Sequence, residues 1–322
     1  MTGMQPGAGA VYHVPVMVQE VLQWLLTAEV GIYVDGTLGG GGHTAALLER
    51  LAPSAQVIGI DADPEALEYC RQRFAQEIAQ GRLRLAQGNF RKVCVLLADV
   101  VGKVQGFLLD LGVSWQQLDT PARGFTFRAR APLDMRFDPH APRSAEALLA
   151  AASEEELASL LRCYGEEPRA GAIARRIVQR RRIAPLRTTA DLRAVVEEVV
   201  PPPHRRKALA RVFQALRIAV NDELAALQEA LQCAPQLLCA GGRLVVISYH
   251  SLEDRIVKQY LRSTSALPVP VFRILTPKPV RPTPQEVAAN PRARSARLRA
   301  AERLATPSPP VSPRQPTAPF HH

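Results

Sequence analysis

VDGTLGGGGH, residues 34–43, decides how the rest of the chain is read. Four glycines in a row cost a folded chain conformational entropy, so whatever lies beside the run must require them. The apolar residues Ile32, Tyr33 and Val34 lead into it, and HTAALLERL (43–51) follows with apolar positions at helical spacing. A buried strand, a glycine turn and a helix, in that order, is how doubly wound α/β sheets seat a nucleotide. The dinucleotide fingerprint is incomplete: Gly39 and Gly41 supply its first two glycines, and Thr44 stands at the third. Asp35 closes the strand instead. A carboxylate there suits a ligand with an ammonium group better than one with a pyrophosphate.

S-adenosylmethionine (SAM) carries an ammonium group and no phosphate. Its carboxylate could accept N–H bonds from Gly41, Gly42 and His43 at the start of the helix, with Gly39 in the same turn. Asp61 ends a second apolar segment, AQVIGIDAD (55–63), where a carboxylate reads ribose hydroxyls in Rossmann-type sheets. Asp63-Pro64-Glu65 reads as a helix start with Asp63 as its cap. Phe90 follows a third strand, RLRLAQGNF (82–90), and can pack on an adenine face. The helix dipole disfavours the charged form of His43, which points to a neutral positioning role.

Outward from this core, strand–helix alternation continues through VQGFLLDLG (104–112) and then stops. Residues 120–215 carry helical patterns, among them SEEELASLLRCYG (153–165), AGAIARRIVQRRR (170–182) and TTADLRAVVEEVV (188–200). Alternation resumes with a helix at 221–238, the strand RLVVISYH (243–250), a helix at 251–261 and VFRIL (271–275) as a final strand. The expected architecture is α/β: a Rossmann-like domain formed by residues 1–118 and 216–303, interrupted by an all-helical domain at 119–215. Residues 1–12 and the Pro/Ser-rich tail 304–322 read as disordered. A helix is expected over 13–26.

The net charge of +10 and a pI near 9.8 suit a polyanionic partner. Basic residues cluster at 175–187, 205–217 and 292–303. The five cysteines are odd in number, scattered and without a CxxC pair, which argues against a disulfide framework and a zinc site. No apolar run approaches membrane-spanning length, and a cytoplasmic location is expected.

LLDLGVSWQQLD (108–119) places Asp110 at the end of the fourth strand. An exocyclic base amine is a poor nucleophile because its lone pair is delocalised into the ring. A carboxylate accepting from its N–H protons favours the localised pair, so Asp110 is the candidate catalytic acceptor, with cofactor binding alone as the alternative. Trp115, Phe125, Phe127 and Tyr249 are candidates to stack the base. RGFTF (123–127) and PLDMR (132–136) pair Arg123 and Arg136 with aromatic or Met residues, as for phosphate contact beside a stacked base; a loop folded over the cofactor is the competing reading. Arg217 and Asn221 fall near the site, with Phe213, Leu216 and Ile218 in the core. In SYHSLEDR (248–255), Ser251 reads as a helix cap and His250 as a substrate contact. NPRARSARLR (290–299) reads as a basic helix or arm.

Ten stretches in order from residue 13 to about 299 resemble the MraW/RsmH-type family, which methylates a cytidine N4 in 16S ribosomal RNA. They include HVPVM, VDGTLGGGGH, GIDADPEAL, LLDLGVSWQQLD, FQALRIAVNDEL and GGRLVVISYHSLEDRIVK. The resemblance implies SAM contacts at Gly41, Gly42, His43, Asp61, Phe90, Asp110 and Gln117, and no metal. It implies a substrate near the decoding centre of the small ribosomal subunit, with a homodimer left open and no membrane partner. Two departures stand out: Trp115 replaces a small residue, and Ala129-Arg130-Ala131 replaces a stretch with Asp and Gly in a loop expected to face substrate. A DNA amino-methylase and a non-catalytic RNA-binding factor are the competing functions.

Overall fold

The structure is a computed structural model that describes residues 15–305. Seven strands form one sheet: β1 (Ile32–Asp35), β2 (Gln56–Asp61), β3 (Leu83–Gln87), β4 (Val104–Asp110), β5 (Leu238–Ser248), β6 (Phe272–Ile274) and β7 (Arg297–Arg303). Their order is β3-β2-β1-β4-β5-β7-β6. β1 to β5 run parallel, and β7 is antiparallel to both β5 and β6. The strand order reverses between β1 and β4, and at such a switch point a crevice opens beyond the carboxyl ends of the strands.

Side chains alternate between two apolar layers, as strand geometry demands. On one face Tyr33, Val57, Leu108, Val245 and Ile247 pack with α1 (Val18–Leu25), α2 (Gly42–Arg50) and α3 (Pro64–Arg73); the short α4 (Ala75–Ala79) follows in chain order. On the other, Val34, Ile58, Phe107, Leu109 and Val246 pack with α5 (Val93–Leu96) and with two helices later in the chain, Glu223–Leu237 and Ser251–Ser265. Both faces are covered, so β2 and β4 read as near-continuous apolar runs.

Between β4 and β5 the chain is helical: α6 (Trp115–Asp119), α7 (Ala145–Ala151), α8 (Glu154–Gly165), α9 (Ala170–Ile183), α10 (Thr189–Val199), α11 (Arg205–Asn221) and α12 (Glu223–Leu237). A third apolar cluster, running from Phe125 to Leu216, is built within this stretch. Its helices start where their sequences offer caps: Ser153 with Glu156 opens α8, and Thr188 with Asp191 opens α10, each as a reciprocal capping box. After β5 come α13 (Ser251–Ser265) and α14 (Pro284–Ala289).

Several expectations need correction. Residues 290–299 are not one basic helix or arm: Pro291–Ser295 is a short 3₁₀ turn, and Arg297–Arg303 is β7, inserted between β5 and β6, so VFRIL is not the final strand. Leu298, Ala300 and Ala301 are fully buried. The strand tolerates its arginines because Asp254 on α13 takes Arg299 at 2.7 Å and Arg297 at 3.4 Å. The helix read from His13 begins only at Val18, after Met17 in a left-handed conformation, and Met17 N–H donates to Glu286 at 2.7 Å. Cys94 and Cys233 pair as a disulfide between α5 and α12, their Cα atoms 6.1 Å apart, where the scattered cysteines argue against a disulfide framework. The readings for residues 1–12 and for the tail beyond 305 lie outside the described residues.

Candidate active site

A cavity of about 870 Å³ lies over the carboxyl ends of β1, β2, β4 and β5. Its walls include Gly39, Gly42, His43, Asp61, Phe90, Asp110, Gln117, Arg217, Tyr249 and Glu253. Small-molecule sites span roughly 300–1,000 Å³, so this one has room for a nucleoside-sized cofactor and a further group.

The glycine run builds one wall, for a reason other than the one its sequence suggests. A Cβ on Gly41 would lie 2.5 Å from Cε2 of Phe74, and Gly41 holds φ at +72° as the cap of α2. A Cβ on Gly42 would lie 2.9 Å from the ring of Pro15. At these two positions neighbouring protein atoms already forbid a side chain. Gly41 is not in the cavity wall, and its N–H donates to Leu38 O at 2.7 Å. Ala45 makes the first intrahelical bond, to Gly41, so Gly42 and His43 precede it and leave backbone donors at the helix start.

Asp61 lines the cavity from the end of β2. Its carboxylate accepts from Gly39 N–H at 2.7 Å and Asp63 N–H at 2.8 Å. Each oxygen keeps a second lone pair for a ligand hydroxyl. Burial pushes the carboxyl up to about 6, against those two N–H bonds. Asp63 caps α3 as expected and also receives Gln117 Nε2 at 3.0 Å and Arg123 at 2.7 Å. One buried carboxylate thereby ties the β2 end to α6 and the loop behind it.

Asp110 is held on three sides. Its N–H donates to Thr37 Oγ1 at 2.7 Å, Tyr249 OH donates to its Oδ1 at 2.9 Å, and His43 Nε2 lies 3.3 Å from its Oδ2. His43 is 5% exposed, and neither ring nitrogen makes a hydrogen bond among the described residues, Nε2 meeting Asp110 only as an ion-pair contact. Burial opposes its charged form, but Asp110 and then Asp35 outweigh that cost and raise its pKa. The helix-dipole expectation of a neutral ring omits these two carboxylates, which push in the opposite direction.

Beyond Asp110, Arg217 grips Glu223 through both oxygens at 2.8 and 2.9 Å. Glu253 accepts from Tyr249 N–H at 2.8 Å and lies 3.2 Å from His250 Nε2. Burial opposes the Glu253 charge, yet His250, Arg217 and that N–H hold its pKa below the usual range. Ligand-type atoms of Glu223, His250 and Glu253 approach within 4.8 Å of one another, and Arg217 supplies the cluster with a cation.

Other residues singled out from the sequence stand outside the cavity wall. Asp35 is 1% exposed and accepts from Thr44 Oγ1 at 2.8 Å and Thr37 N–H at 3.2 Å, so it fastens the turn from behind. Arg123 spends its guanidinium on Asp63, Glu65 and the carbonyls of Arg136 and Phe137. Phe125 is buried and stacks on Phe137 at 5.7 Å; Phe127 packs edge-on to Phe213. Arg136 is bidentate to Asp134. His250, not Ser251, caps α13, while Ser251 bonds Glu166. The loop expected to face substrate is stitched to α10 instead, with Thr189 bonded to Ala129 and Ala131. The sequence marks Tyr249 only as a stacking candidate; its bond to Asp110 has no signal there, because it joins strand ends 139 residues apart.

A doubly wound sheet with β7 reversed between β5 and β6, and carboxylates at the ends of β2 and β4 facing one cavity, defines a Rossmann-like methyltransferase fold. The model of the MraW methylase family matches residues 10–304, and the chain belongs to that family. It is 50% identical over 309 residues to the ribosomal RNA small subunit methyltransferase H of Thermomicrobium roseum, an alignment covering 91% of this chain and 94% of that one. Its identity to the proteins of the same name from Heliobacterium modesticaldum and Geobacter sulfurreducens is 45% and 48%, over 91% of this chain and 99% of each of theirs.

Proposed function

We propose that this protein transfers a methyl group from SAM to the N4 amine of a cytidine in 16S ribosomal RNA, near the decoding centre of the small subunit. S-adenosylmethionine is the methyl donor, and the residues present suit it. Asp61 has lone pairs left for ribose hydroxyls, Phe90 offers a ring to adenine, and the start of α2 offers N–H groups to the carboxylate. Bound there, the cofactor supplies an electrophilic methyl group.

The observation that carries the reading is the setting of Asp110. Tyr249 and His43 hold its carboxylate on the cavity wall at the β4 end. A carboxylate so fixed accepts from the N4 amine, aims its nitrogen, and takes the proton it sheds. The cluster of Arg217, Glu223 and Glu253 forms the wall on the acceptor side. The helical stretch 119–215 is the substrate-facing body, and the net charge of +10 suits an RNA partner in the cytoplasm. No described helix is long and apolar enough to cross a membrane.

Asp110→Ala tests this. With cofactor affinity retained by calorimetry, methylation of 30S particles should fall about 10²–10⁴-fold, the range for losing a positioned acid–base group. Turnover near the wild-type rate would remove Asp110 from the chemistry.

A further inference from the structure

The cavity wall contains four arginines, Arg206, Arg217, Arg292 and Arg294, and they differ in what already occupies them. Arg217 is locked onto Glu223, and Arg292 reaches Asp119 at 3.1 Å. Arg206 and Arg294 are exposed, and neither guanidinium has a hydrogen bond or ion pair among the described residues. A lone arginine on an open surface is ordinary. Two unspent guanidiniums on the rim of the same cavity are not.

Their placement follows from the fold. Arg206, Ala210, Arg217 and Asn221 recur at steps of four and seven along α11, so one stripe of that helix runs along the cavity. Arg217 lies at the buried end of the stripe and Arg206 at its solvent end. Arg294 comes from the short turn Pro291–Ser295, which leads into β7. Arg123 and Arg136, the arginines whose sequence context suggested phosphate contact, are consumed by internal acceptors. Guanidinium donors match phosphate oxygens bidentately, and a flexible single strand presents such phosphates beside any base that it inserts.

We propose that Arg206 and Arg294 grip backbone phosphates of the RNA strand whose target nucleotide enters the cavity. The inference rests on the proposed RNA substrate and adds which residues hold the strand. Phosphate contacts fix register and carry no base information, so the two arginines set affinity and salt dependence, while the cavity selects the base.

The test compares the wild-type chain, Arg206→Ala/Arg294→Ala and Arg206→Lys/Arg294→Lys for binding of a short single-stranded RNA across salt concentrations. Each phosphate contact on a single strand contributes about 0.7 to the slope of log affinity against log salt, so losing two contacts lowers it by about 1.4. Between 50 and 200 mM salt, the alanine variant should then lose about sevenfold less affinity than wild type. The lysine variant should keep the wild-type slope, and SAM affinity should be the same in all three. An unchanged slope in the alanine variant, with SAM binding intact, overturns the proposal. The readout is binding, so a wild-type chain that binds RNA but methylates none counts against the proposed function while the slope still decides the arginines.

Discussion

Gly41→Ala separates two explanations of the glycine run. If the run exists to admit a ligand, the substitution should spare stability and abolish cofactor binding. The structure gives the opposite order. The new Cβ would sit 2.5 Å from Phe74 Cε2 and 3.1 Å from Cys70 Sγ, both in the packed core beneath the turn. Forcing an L-residue to a left-handed φ costs roughly 1–2 kcal/mol. Overpacking a filled core adds about 1–3 kcal/mol. The expected loss is therefore about 2–5 kcal/mol, a large share of the 5–15 kcal/mol that holds a typical domain. Urea titration with linear extrapolation measures it. Phe74→Leu removes the ring edge, so in that background the penalty of Gly41→Ala should fall to the dihedral part, about 1–2 kcal/mol. Gly39→Ala is the matched control: φ is +48°, but the nearest side-chain atom to its Cβ is 3.8 Å away, so it pays the dihedral part alone. A loss below about 0.5 kcal/mol for Gly41→Ala, within the range of neutral surface changes, would refute the reasoning. Equal penalties with Phe74 and with Leu at 74 would refute it as well.

Three further outcomes follow from the geometry. Burial holds the Asp61 carboxyl at about 6, and its charged form is the one that accepts ribose hydroxyls, so binding weakens as pH falls through that value. Calorimetry should find SAM affinity about tenfold lower at pH 5 than at pH 7, from the ionised fraction alone, and a flat profile would count against the role given to Asp61. Arg123→Ala leaves Asp63, 3% exposed on its side chain, without its cation. It should cost about 3–5 kcal/mol of stability, as breaking a buried pair does, while leaving the salt slope of RNA binding unchanged; a lowered slope would return Arg123 to the RNA surface. Thiol titration of unfolded, unreduced protein should find three free cysteines, Cys70, Cys163 and Cys239, and five after reduction. Five before reduction would contradict the Cys94–Cys233 bond.

Local signals carried much of the fold. Apolar runs ending in Asp61 and Asp110, the Asp63-Pro64 cap and the helical spacing of α8, α9 and α10 are each written within a dozen residues, and the structure places elements there. β7 was hidden because RLRAAER has no β-branched residue and shows three arginines; only the distant Asp254 makes two of them compatible with burial. The site divided along the same line. Residues at strand ends, Asp61, Phe90, Asp110 and Gln117, come together in one cavity because the sheet's switch point gathers them. Arg123, Phe125 and Arg136 looked like substrate contacts by residue type, but their acceptors and ring partners lie within the protein, where residue type cannot reveal them. Asp35 and Gly41 lie in the right segment and face the wrong way, one fastening the turn and the other packed on Phe74.

The destination of the methyl group is the decisive observable. Tritium-labelled SAM should be offered in parallel to 30S particles, naked 16S RNA and DNA, and the labelled product digested to nucleosides. Label appearing in N4-methylcytidine from small-subunit RNA is the predicted result. Label in DNA alone, in another nucleoside, or in no acceptor while the protein still binds SAM would contradict it.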